Sequence, residues 1–178
     1  MSDLPRSINL GCGLRKRPDC LNVDLRESVA PDLVVDLDRR PYPLPRDHFQ
    51  HAYAFDVIEH LGDVQGFLEE VHAALAPDGI LEITTPHFSC ANSYSDPTHR
   101  RHLGYFSFDD FTDASPRGFY SPARFEIAHR QIVFHNARID GLMARFANRH
   151  PAFYERRLTW IFPAWFLIFK LRAIKEPG

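Results

Sequence analysis

Residues Ile8 to Leu25 read INLGCGLRKRPDCLNVDL, and the reading of this stretch decides the reading of the rest. An apolar run delivers the chain into Gly11-Cys12-Gly13, where two glycines permit a sharp turn and a close approach of backbone to ligand. A dinucleotide turn carries a third glycine and places its ribose-binding acid about twenty residues on. Here Lys16 stands in the third glycine's place, and Asp24 follows Gly13 by eleven residues. The first crossover helix is therefore expected to be short, a turn or two, too little to aim a helix N-terminus at a pyrophosphate. The ligand expected is a nucleoside whose hydroxyls meet a carboxylate and which brings little or no phosphate.

Outward from that stretch the chain alternates strands with crossovers. Ser7–Leu10, Cys20–Leu25, Asp32–Leu37 and His51–Phe55 read as short strands, with the three-proline loop RRPYPLPRDHF before the last of them. From Asp63 the period changes: Val64, Phe67, Leu68, Val71 and Leu75 recur at helical spacing until Pro77-Asp78-Gly79, and Ile80–Thr85 is again a strand. RFEIAHRQIVFH predicts a strand, Gly141 to about Tyr154 a helix, and AWFLIFKLRAI a last strand. The pattern predicts an α/β, Rossmann-like open sheet, mostly parallel with an antiparallel last strand. Ligands of such sheets sit outside the carboxyl ends of the strands, which is where Gly11, Asp24, Asp36 and Asp56 fall.

These blocks resemble the class I S-adenosyl-L-methionine-dependent methyltransferases. INLGCG is similar to that family's first motif, NVDL to its second-strand end, and VVDLD to its adenine-side motif. FDVIEHL followed by FLEEVHAALAPDGILEITTP is similar to its fourth strand, helix, turn and fifth strand, so five blocks occur in order between Ile8 and Pro86. The resemblance implies methyl transfer from S-adenosyl-L-methionine, with S-adenosyl-L-homocysteine as product, to a small-molecule or lipid- or saccharide-linked acceptor. It implies a cofactor site of Gly11, Cys12, Gly13, Asp24, Leu25, Asp36, Leu37 and Phe55, with Asp24 on the ribose hydroxyls. One domain is expected over 1–178: a cofactor-binding core at 8–86, an acceptor-binding lid at 87–124, and closing strands and helix at 125–178.

The lid, PHFSCANSYSDPTHRRHLGYFSFDDF, is long and crowded with histidine, aspartate and aromatics, and long loops inside compact domains are usually functional. His87, His99 and Asp56 are the candidate catalytic bases, needed if the acceptor is a hydroxyl or an ammonium. The histidines show no tight metal-ligand spacing, and no metal is expected. A second reading of the same blocks is a non-catalytic methyltransferase-like binding module or partner subunit.

Bulk properties narrow the partners. A formal net charge of −2, with 44% hydrophobic and 25% charged residues, gives no basic excess for nucleic acid. Three cysteines without a CxxC pair fit a reducing compartment, and an N-terminus without a signal-peptide layout leads to a cytoplasmic expectation. The apolar segment 160–171 is too short to span a bilayer. It is read as a buried last strand, with peripheral membrane contact as the alternative.

Overall fold

The computed structural model describes residues 4–135 and 141–175. Seven strands form one sheet in the order β3-β2-β1-β4-β5-β7-β6. They are β1 (Ser7–Leu10), β2 (Cys20–Asp24), β3 (Leu33–Val34), β4 (Phe49–Phe55), β5 (Leu75–Pro86), β6 (Arg124–Val133) and β7 (Phe166–Ile174). The first five are parallel, and β7 runs antiparallel between β5 and β6. The expected open, mostly parallel sheet with an antiparallel last strand is the observed one.

Register sorts the side chains into two faces. Ile8 pairs with Ala52, Ala52 with Leu81 and Leu81 with Leu171; Leu10, Ala54, Ile83 and Phe169 form the next row. All eight are buried in the core, where α1 (Val64–Ala74) contributes Phe67, Leu68 and Val71. Phe108 packs edge-on against Phe169, with ring centroids 4.7 Å apart. Asp63 starts α1, accepting from Gly66 N–H as an N-cap. The opposite face carries the row Asn9, Tyr53, Glu82 and Lys170, with Lys170 Nζ 2.9 Å from Glu82 Oε1. Tyr53, Glu82 and Lys170 are part-exposed on that face, where the loops leading into β2 and β3 contribute no α-helix, while Asn9 is buried under the crossover.

Details depart from the sequence expectation for local reasons. Residues 11–19 contain turns and no helix, so the first crossover is shorter than the expected turn or two. The third strand is two residues long, since Asp36 Oδ1 accepts from Asp38 N–H and turns the chain away from the sheet. The helix expected from Gly141 to about Tyr154 is two, α3 (Gly141–Arg149) and α4 (Pro151–Arg157), because Pro151 lacks the N–H that would continue the first. Asn148 fastens α3 to β6, its side chain bonding both Ile132 N–H and Ile132 C=O at 2.8 Å and so covering that free strand edge. Phe166 onward is β7, inside the sheet; of the apolar segment 160–171, Trp160, Ile161 and Phe162 are the exposed large side chains. No helix among the described residues is long and apolar enough to cross a membrane.

Candidate active site

Gly11 and Gly13 both hold left-handed backbone, with φ of +65° and +49°. A Cβ at Gly11 would lie 2.4 Å from Val57 Cγ2, whereas a Cβ at Gly13 would meet nothing within 4 Å. The first glycine is therefore closed by the core, and the second presents bare backbone to open space. Asp24, at the carboxyl end of β2, braces the turn: one oxygen accepts from Gly13 N–H at 2.8 Å and the other from Arg26 N–H at 2.9 Å. A carboxylate offers about four acceptor positions, so Asp24 retains capacity for ligand hydroxyls. Open backbone beside an acceptor-rich carboxylate fits a nucleoside.

The helix-free crossover is held by two buried asparagines. Asn9 donates to Arg15 C=O and to Asn22 Oδ1, both at 3.1 Å. Asn22 in turn receives Arg17 N–H at 2.8 Å and donates to Arg17 C=O at 3.0 Å and to Asp32 at 2.9 Å. The same Asp32 oxygen accepts Asn22 N–H, and these bonds hold the Asp32 carboxyl below the ordinary range. Neither asparagine was assigned a role from the sequence. Their signal was composition: Asn is depleted in strands, and each sits inside an apolar one.

Asp56, just past β4, also has left-handed backbone, with φ of 57°. Its Oδ2 pairs with Arg15 at 2.8 Å, linking the end of β4 to the glycine turn across the carboxyl edge. Asp36 lies on the same edge, beyond β3, with Arg39 3.1 Å away. Leu25 is exposed beside Asp24, and Phe55 is half-buried against Tyr53 at 5.7 Å. Cys12 is buried, and burial together with Asp24 pushes its thiol up. Leu37 turns into the core, its carbonyl accepting the Tyr42 hydroxyl.

Lid residues fall into two groups. His87 is fully buried: its Nδ1 accepts from Ser89 N–H at 3.1 Å, so Nε2 carries the proton toward Glu155 of α4, 3.2 Å away. Nε2 reaches the 141–165 segment directly through Glu155, and Nδ1 reaches it through Ser89, whose Oγ accepts from Ala164 N–H at 3.1 Å. His99 lies instead beside the short helical turn Ile58–His60 that follows β4, its ring edge-on to His60 at 4.6 Å. Main-chain bonds from Arg100 and Arg101 N–H to Glu59 C=O pin the lid there. Glu59 is 2% exposed, accepts from Thr85 Oγ1 at 3.0 Å, and is raised by burial to about 6. Burial, with His99 nearby, holds His60 below the usual imidazole range.

An open cleft of about 780 Å³ lies elsewhere, between Asp109–Arg117 and β6. Its lining residue Ile127 pairs with Leu171, which pairs with Leu81 early in β5, placing the cleft toward the opposite edge of the sheet.

A family model described as a methyltransferase domain matches residues 12–164. Among solved structures, the chain resembles an S-adenosylmethionine-dependent methyltransferase from Mesorhizobium loti (18% identity, 97% of this chain and 93% of the other, TM-score 0.59). It also resembles the [4+2]-cyclase SpnF (18% identity, 97% and 76% covered, TM-score 0.62). A third likeness is to phosphoethanolamine N-methyltransferase 2 of Haemonchus contortus in complex with S-adenosyl-L-methionine (13% identity, 98% and 50% covered, TM-score 0.57). At these identities the structural likeness is one of fold. No curated protein sequence matches the chain.

Proposed function

The chain belongs to the methyltransferase-domain family, its cofactor is S-adenosyl-L-methionine, and on that premise we propose how its residues divide the work. The cofactor supplies a methyl group on a sulfonium, reactive enough that the protein's task is chiefly to position the acceptor. In this reading Asp24 takes the ribose hydroxyls while holding the glycine turn. Gly13 lets the backbone approach the ligand, Asp36 and Leu25 flank the adenosine, and Cys12 and Phe55 complete the wall. Arg15, paired with Asp56 over the carboxyl edge, meets the carboxylate of the methionine end. The observation that carries this assignment is the Asp24 carboxylate, bonded to Gly13 N–H yet retaining acceptor positions at the carboxyl edge.

The test is S-adenosyl-L-homocysteine binding by calorimetry, for the native protein, Asp24→Asn and Asp24→Ala, each with its melting temperature. Native binding that weakens at least tenfold in both variants, which remain folded, is the expected result. Undiminished binding in a folded Asp24→Ala protein refutes the assignment.

The acceptor in this reading is lipid-linked. Leu142, Phe146, Phe153, Trp160, Ile161 and Phe162 are exposed on the segment between β6 and β7, which departs from the carboxyl edge. Phe146 and Phe153 lie 6.0 Å apart, and Arg145, Arg149, Arg156 and Arg157 are exposed on the same two helices. Large apolar side chains beside arginines suit the surface of an anionic bilayer. Co-sedimentation with phosphatidylglycerol vesicles, reduced by Trp160→Ser/Ile161→Ser, is expected. Equal and negligible binding to anionic and neutral vesicles would instead support a freely diffusing acceptor.

A further inference from the structure

Three side chains at the lid's root have a geometry that cofactor binding does not use. One ligating atom each from Glu59, His60 and His99 lies within 4.8 Å of the others. Glu59 and His60 come from the turn after β4, and His99 comes from the lid 39 residues later, so the fold rather than local sequence brings them together. The carboxylate is buried, and both imidazoles are part-buried.

The bonds behind the rings fix what the rings present. Thr98 Oγ1 donates its one proton to Asp96 Oδ1 at 2.6 Å, so it must accept at 2.9 Å from His60 Nδ1–H. His99 Nδ1 is 3.3 Å from Ser93 C=O, which accepts only, so that nitrogen also carries the proton. In its neutral form each ring is thereby the tautomer whose Nε2 carries the lone pair. This is the outer-shell arrangement that orients metal-ligating histidines, with Nδ1–H given to an oxygen acceptor behind the ring. Glu59, for its part, has Thr85 as its one side-chain hydrogen-bond donor among the described residues.

We propose that Glu59, His60 and His99 form a binding site for a divalent first-row transition-metal ion such as Zn²⁺ or Mn²⁺. One carboxylate and two neutral imidazoles suit such ions better than Mg²⁺, which prefers oxygen. Three atoms at the 4.8 Å limit leave a centre about 2.8 Å from each. Zinc–nitrogen bonds are about 2.0–2.1 Å, so each ligand needs to move inward by less than about 1 Å. Asp96 Oδ2, 3.9 Å from His99 Nε2, is within reach as a further ligand. Three protein ligands leave coordination positions open, as in catalytic rather than structural sites.

The site's chemical role rests on the methyl-transfer reading. An acceptor hydroxyl bound at the open position loses its proton to solvent more readily because the ion stabilises the oxyanion. That oxygen then forms its bond to the methyl carbon as the carbon–sulfur bond breaks, and the electron pair stays on sulfur, giving the neutral thioether. The acceptor class assigned is therefore an oxygen nucleophile, and no side chain is required to act as base.

Chelator-treated protein titrated with ZnCl₂ and MnCl₂ by calorimetry, and with CoCl₂ by visible absorption, tests the site. One ion per chain is expected, with affinity at least tenfold weaker in Glu59→Gln and in His99→Gln, and with the Co²⁺ band changed in both. S-adenosyl-L-homocysteine affinity, measured on the same samples, should stay within about twofold of native, which also shows that the variants fold. Absence of saturable binding of all three ions, or binding unchanged in both variants, overturns the site and leaves the cofactor assignment standing. Lost S-adenosyl-L-homocysteine binding in a native protein that still takes the ion would overturn the cofactor reading instead.

Discussion

Gly11→Ala separates two reasons for a glycine at the turn. The backbone there has φ of +65°, which costs an L-residue about 1–2 kcal/mol. The new methyl would also lie 2.4 Å from Val57 Cγ2 and 3.1 Å from Cγ1, well inside contact distance. Val57 is itself buried, and it precedes the turn that carries Glu59. Overpacking of this kind costs roughly a further 1–3 kcal/mol, so the sum expected is about 2–5 kcal/mol. Gly13→Ala is the built-in control, because its backbone is also left-handed but its Cβ would meet nothing within 4 Å. It should lose about 1–2 kcal/mol by the backbone cost alone. Urea unfolding of both variants, of Val57→Ala and of Gly11→Ala/Val57→Ala measures the contact by a double-mutant cycle. In that cycle the double variant should be less destabilised than the two single changes predict together. If Gly11→Ala and Gly13→Ala lose the same stability, or the cycle shows no coupling, the close approach to Val57 is not what closes position 11.

Asn22→Ala removes the hub of the crossover and leaves Arg17 N–H and the Asn9 amide short of a partner, so unfolding in urea should register a loss of about 2–4 kcal/mol. A loss under about 0.5 kcal/mol would mean that solvent replaces the network without penalty. His72 donates from Nε2 to Ile174 C=O at 3.0 Å, and burial holds its imidazole below the ordinary value. The unfolded chain then binds the proton more readily, so this contribution to stability is complete above the unfolded value of about 6.5 and is lost as pH falls below it. Melting temperatures between pH 7.5 and 5.5 should fall less steeply in His72→Gln than in the native protein; parallel slopes would contradict the assignment. His87→Gln should lower the melting temperature by several degrees while leaving the shape of the pH–rate profile unchanged, because both ring nitrogens already bridge Ser89 and Glu155. Loss of one limb of that profile would make His87 a base after all.

How much of this was legible in the sequence depended on whether a position is governed by local geometry. The glycine turn, Asp24 and the helix over Val64–Ala74 could be read because positive φ, strand-end carboxylates and 3.6-residue periodicity leave their marks within a few residues. The expected third strand was too long because apolar content does not reveal that Asp36 folds back onto Asp38 N–H. The histidines of the lid could be listed but not sorted. His87 and His99 differ in what lies opposite them, α4 for one and the turn after β4 for the other, and those partners are 68 and about 40 residues distant in the chain.

The same distinction accounts for how a crossover with no helix still holds its turn. In a full-length crossover the helix packs on the sheet and its first N–H groups are available to the ligand. Here residues 11–19 are too few for that, and polar side chains supply the rigidity: Asn9 and Asn22 from inside the sheet, Asp24 and Asp32 from strand ends. Arg17 adds a stacking contact, its guanidinium 4.1 Å above the Tyr53 ring. Such bonds are directional, and the one from Gly13 N–H to Asp24 holds the turn without a helix packed behind it. On the proposed assignment the ligand is a nucleoside without a pyrophosphate, which calls on backbone and one carboxylate rather than a helix dipole, and the shortened crossover retains those two elements.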